Sequence, residues 1–147
     1  MKKNALFVLG ALFLSINIIS CTSDDDNKNS YSEKIIGKWE FYRETELEDD
    51  EIIFVDLYDH ACETEKDFLE FFANNTYTFV MYDEDCTIWD TETTQWSISG
   101  DVLTIDVGDE TGIAKIIELN DTRLTIEFTE MEDNIEVGQR IEFNKAQ

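Results

Sequence analysis

The chain has 147 residues, enough for one domain, with 34 acidic and 11 basic side chains and a formal charge of −23. A surface this negative repels phosphate backbones and anionic headgroups, which excludes nucleic-acid binding and adsorption to acidic lipid through charge.

Lys2 and Lys3 precede an almost wholly apolar run, Ala5 to Ile19, broken only by Gly10, Ser15 and Asn17. A basic start and a short apolar stretch have the pattern of a secretory signal, and the run is shorter than the roughly 20 residues a membrane span needs. The competing reading is a retained N-terminal anchor helix. The run ends Ile18-Ile19-Ser20-Cys21, which resembles the bacterial lipobox. That resemblance implies cleavage before Cys21 and lipid on its thiol and new amino group. Two or three acyl chains, at about 0.8 kcal/mol per buried CH₂, then anchor the chain stably. Removal of residues 1–20 takes away Lys2 and Lys3 and no acid, moving the charge from −23 to −25.

Residues 21–34 read as a lipidated cysteine followed by an acidic, flexible tether. Asp24-Asp25-Asp26 directly after Cys21 resembles the export signal of surface lipoproteins of the Bacteroidetes group. The expected address is therefore the outer membrane, lipid-anchored and facing the cell surface, with the periplasmic face as the alternative.

From Gly37 the apolar residues recur with a period close to two, the mark of half-buried strands. Runs at 37–44, 52–57, 68–72, 76–82, 94–99, 102–107, 113–119, 124–128 and 137–143 give eight or nine strands. Asn74-Asn75, Gly100-Asp101 and Asn120-Asp121 sit between runs as hairpin turns. Short strands joined in simple order predict an all-β, antiparallel up-and-down barrel of about eight strands over residues 35–147. Alternation selects a core of Trp39, Phe41, Phe71, Tyr77, Phe79, Trp96, Ile98, Leu103, Ile105, Ile117, Leu124, Ile126, Phe128, Ile141 and Phe143.

Ile36-Gly37-Lys38-Trp39 opens the first strand and resembles the G-x-W motif of lipocalins and lipocalin-like domains. The spacing of the later strands and the positions of Cys62 and Cys86 resemble the short lipocalin-like lipoproteins of Bacteroidetes. The resemblance implies that Trp39 plugs the closed end of the barrel, under an arginine from a late strand. Arg140 is the candidate and Arg123 the reserve. It also implies a small apolar or amphipathic ligand in the mouth, with Tyr42, Tyr82 and Trp89 as candidate rim residues. The alternative is a filled barrel whose outer face, with Tyr31, Tyr58 and the acidic loops, contacts another envelope protein or a polymer.

Cys62 and Cys86 pair as a disulfide if the chain is exported. Two free thiols, or a metal site with His60, are the alternatives, but H-x-C supplies only two ligands where zinc takes three or four. The acidic runs Glu46 to Glu51, Asp83 to Asp85 and Asp109-Glu110 lack the spacing of a calcium loop and read as solvated faces. With a single histidine, His60, no nucleophile–base set stands out. No carboxylate pair is singled out among 34 acids either. The reading is a monomeric, non-enzymatic binding module that needs no cofactor or metal.

Overall fold

The computed structural model describes residues 28–107, 110–132 and 135–147. The leader, the lipobox cysteine Cys21, the Asp24–Asp26 run and Asp109 lie outside the described residues.

A short helix, α1 (Lys28–Lys34), precedes nine strands: β1 (Gly37–Glu48), β2 (Glu51–Leu57), β3 (Phe68–Phe71), β4 (Thr76–Tyr82), β5 (Ile88–Ser99), β6 (Val102–Val107), β7 (Glu110–Leu119), β8 (Arg123–Glu132) and β9 (Ile135–Lys145). Every neighbouring pair is antiparallel, and β1 pairs with β9 to close the ring. The result is the expected all-β, eight-stranded closed barrel, formed by β1 and β3 to β9. Closure removes the exposed edges of these strands.

β2 stands apart. The edge of β1 facing away from β9 is shared: Gly37–Glu40 pair with β3, and Arg43–Glu48 pair with β2. β2 pairs with β1 alone, and all seven of its residues are exposed. Asp49 and Asp50 turn the β1–β2 hairpin, both at positive φ (47° and 64°). Aspartate tolerates that left-handed region, so part of the Glu46–Glu51 acidic run is turn chemistry.

The last seven residues of the expected tether form α1 instead. Tyr31 and Ile35, four apart, share a helical face, and Ile35 is fully buried in the core with Tyr31 packed against it. Burial at the barrel base decides the conformation over a polar local composition. Every strand, the core and the disulfide lie within Tyr31–Lys145, so a chain from residue 22 onward contains all of them.

Trp39, Phe71, Tyr77, Trp96, Leu103, Ile105, Leu124, Ile126 and Phe143 are buried as expected; Phe41, Phe79, Ile98, Phe128 and Ile141 pack against them, half-buried. Ile117 is the exception. A register shift between Ile116 and Glu118 inserts an extra residue into β7 and inverts the alternation there. Ile116 takes the core position at 3% exposure and Ile117 is left 42% exposed.

Candidate functional site

The two ends of the barrel are built differently. At the base, Trp39 is fully buried and its indole Nε1 donates to the carbonyl of Ile35 at 2.6 Å. Lys145, opposite Trp39 across the β1–β9 ladder, places Nζ 4.6 Å from the Trp39 ring centroid. The same ammonium donates to the carbonyls of Ile36 (2.9 Å) and Lys34 (3.3 Å). A cation over an aromatic face, bonded to chain carbonyls behind it, seals this end. Gly37 has φ of 122°, and a Cβ there would meet Lys145 Cε at 3.1 Å, which accounts for the glycine of the motif.

Arg140 is not the partner of Trp39. Alternation along β9 puts Arg140 on the face opposite Phe143. There its Nε and Nη2 donate to Glu127 at 2.9 and 2.6 Å. The reserve, Arg123, pairs instead with Glu142 at 3.7 Å. Lys145 shares the Phe143 face and does what the resemblance assigned to an arginine.

Aromatic rings fill the space above the base. Phe41 packs on Phe143 at 4.7 Å, and Phe71 on Tyr77 at 5.7 Å and on Trp96 at 5.6 Å.

The loop between β2 and β3 is fastened in two ways. Cys62 and Cys86 form the expected disulfide, with a Cα–Cα distance of 5.0 Å. Asp67, 3% exposed, accepts from Tyr58 Oη at 3.0 Å and from the Tyr82 amide at 2.8 Å. His60 Nδ1 accepts from the Asp67 amide and Nε2 donates to the Phe41 carbonyl, both at 3.1 Å, which fits the neutral ring protonated at Nε2. Burial first, then the bond to Asp67, pushes the Tyr58 hydroxyl well above the usual tyrosine range. His60 thus serves as a clasp, with both ring nitrogens taken by backbone groups rather than left for a metal. On the neighbouring turn Asp83 accepts from the Thr87 hydroxyl and amide, which hold its carboxyl below the usual range. Part of the Asp83–Asp85 run is therefore committed to a turn.

The opposite end of the strands carries a cleft. A cavity of about 560 Å³ lies where Glu46 and Leu47 of β1, Phe128 to Glu130 of β8 and Val137 to Gln139 of β9 come together. Ile53 of β2 and Ile113 of β7 complete its apolar wall, and Glu132 adds a third carboxylate to Glu46 and Glu130. The volume falls within the 300–1,000 Å³ typical of small-molecule sites. Gly138 permits the arrangement: a Cβ there would meet Leu47 Cδ1 at 3.3 Å. A second cavity of about 530 Å³, lined by Val102, Lys115 and Glu127 among others, shares Ile113 and Thr129 with the first.

Tyr42, Tyr82 and Trp89 line neither cavity. Tyr42 is half-buried with Arg43 over its ring, Tyr82 belongs to the Asp67 clasp, and Trp89 is 70% exposed on β5. The lining residues Leu47, Ile53 and Ile113 stand outside the core that alternation selects. All three are aliphatic, and Leu47 and Ile53 flank an acidic turn whose charge masked the strand ends. Among the described residues, no group of three or more His, Cys, Asp or Glu side chains is placed to hold a metal ion.

Comparison with known proteins agrees with this geometry. A lipocalin-like domain family model matches residues 35–126, more than half of the chain. Lobster apocrustacyanin A1 superposes with a TM-score of 0.56 at 11% identity, over 82% of this chain and 66% of its own. Apocrustacyanin C1 gives 0.52 at 11% identity, over 85% and 64%. The chain thus spans just under two thirds of the length of these two structures. No curated protein sequence matches. The sealed base, the eight-stranded closure and the family match together place this chain in the lipocalin-like domain family.

Proposed function

We propose that this protein is a lipid-anchored envelope protein whose barrel holds a small hydrophobic or amphipathic ligand at its open end. The observation that carries the ligand reading is the contrast between the two ends: a base sealed by Trp39 and Lys145, and a cavity of about 560 Å³ at the other. Lipocalin-like folds commonly bind small hydrophobic ligands, and the apolar wall of Leu47, Ile53, Ile113, Phe128 and Val137 suits one. A neutral fluorescent hydrophobic probe is expected to bind the chain from residue 22 onward saturably and to be displaced by apolar competitors. Signal that rises linearly without saturation contradicts the reading.

The anchor rests on the lipobox resemblance at Ile18–Cys21, and the cell-surface address on Asp24–Asp26. Metabolic labelling with a palmitate analogue is expected to mark the full chain and to fail in Cys21→Ala. An unlabelled wild-type chain contradicts the anchor.

β2 favours a second reading, a protein-interaction module. Ile52, Ile53, Phe54, Val55 and Leu57 are 49–61% exposed on a strand paired along one edge only. Such an edge is open to strand addition by a partner.

A further inference from the structure

The cavity at the open end has an electrostatic character that its apolar wall does not suggest. Glu46, Glu130 and Glu132 line it, and no lysine, arginine or histidine does. None of the three joins an ion pair among the described residues. The arginines on the same strands are committed elsewhere: Arg43 and Arg123 to Glu142, and Arg140 to Glu127. The chain as a whole, at −23, adds potential of the same sign. An anionic headgroup entering this cleft faces three glutamates and no cation among the lining residues, the lysine of the region, Lys115, lining the adjoining cavity. A cationic headgroup meets three partners while its chain covers Leu47, Ile53, Phe128 and Val137.

We propose that the open-end cavity selects amphipathic organic cations, an alkyl chain bearing an ammonium group, over fatty acids of the same length. The proposal rests on the reading of this cavity as a ligand site and adds the class of ligand. Each exposed charge contributes modestly, but three acting together in one cleft favour an ammonium over a carboxylate by about tenfold or more at low salt. Salt weakens the preference, because all three carboxylates are exposed to solvent.

The test uses three ligands with one chain length: decylamine, decanol and decanoate, each below its aggregation threshold. They displace a neutral probe from the chain from residue 22 onward at pH 7. The expected order is amine, then alcohol, then carboxylate, with a gap of about tenfold or more between the first and last that narrows in 0.5 M NaCl. In Glu46→Gln/Glu130→Gln/Glu132→Gln the gap is expected to shrink to the small residual preference that the acidic chain as a whole exerts. Equal affinities in the wild-type chain overturn the proposal while leaving the ligand site standing, as does a gap that the triple substitution leaves undiminished. Failure of decanol to displace the probe overturns the ligand reading itself.

Discussion

Replacement of Trp39 by alanine is expected to lower the unfolding free energy by about 3–5 kcal/mol. Three losses combine. The indole is fully buried, so its removal leaves a cavity at the barrel base. The Ile35 carbonyl loses its donor at 2.6 Å. The Lys145 ammonium loses the ring beneath it at 4.6 Å. Trp39→Phe keeps part of the volume and the aromatic face, and is expected to cost about 1–3 kcal/mol, chiefly the unsatisfied carbonyl and the unfilled space. Urea titration of the three proteins measures both differences. A loss below 1 kcal/mol in the alanine variant contradicts the sealed base. Should the alanine variant fail to fold, the phenylalanine variant carries the test alone, with its expected loss of about 1–3 kcal/mol.

Removal of the Cys62–Cys86 bridge carries the other large effect. The sequence separation is 24, and closing a loop of that size restricts the unfolded chain by about 3.5 kcal/mol on the entropy model. The double variant Cys62→Ala/Cys86→Ala is expected to lose about that much, with a midpoint lower by about 10–15 °C. Because the effect lies mainly in the unfolded state, the m value is expected to rise as the stability falls. The Asp67 clasp stays in place, so the loop keeps its bonds to Tyr58 and Tyr82 in the folded protein. Reduction of the wild-type chain is expected to reproduce the variant. A midpoint unmoved by either treatment contradicts a bridge that closes this loop.

The barrel was legible because its signals are local. Period-two runs marked all nine strands, and the turns fell at residues that accept left-handed backbone: Asn75 at φ 63° and Gly100 at φ 67°. The bulges were not legible. A residue added at Ile116–Glu118 costs the ladder one pair and inverts which isoleucine is buried, and composition carries no mark of it. The base partner of Trp39 was within reach. The alternation of β9 already sets Arg140 opposite Phe143, and Lys145 stands two residues beyond Phe143 on the same face. The helix α1 was hidden because its stability comes from contacts of Tyr31 and Ile35 with the base rather than from its own composition. The cavity was the least legible part. Its walls come from five strands, and the bulges in β1, β2 and β7 decide which side chains meet there.

β2 links the two functional readings. Ile53 forms part of the cavity wall, while the rest of the strand presents apolar side chains to solvent. Its ends are acidic, with Glu51 at one and Asp56 near the other, which limits pairing between copies of a chain already at −23.

The central claim is that one end of the barrel is sealed and the other receives a ligand. Amide chemical-shift mapping of the isotope-labelled chain from residue 22 onward, titrated with decanol, tests it most directly. Saturable shifts are expected at Leu47, Ile53, Phe128 and Val137, with Trp39 and Lys145 unmoved. Shifts centred on Trp39 and Lys145, or none that saturate, would contradict it.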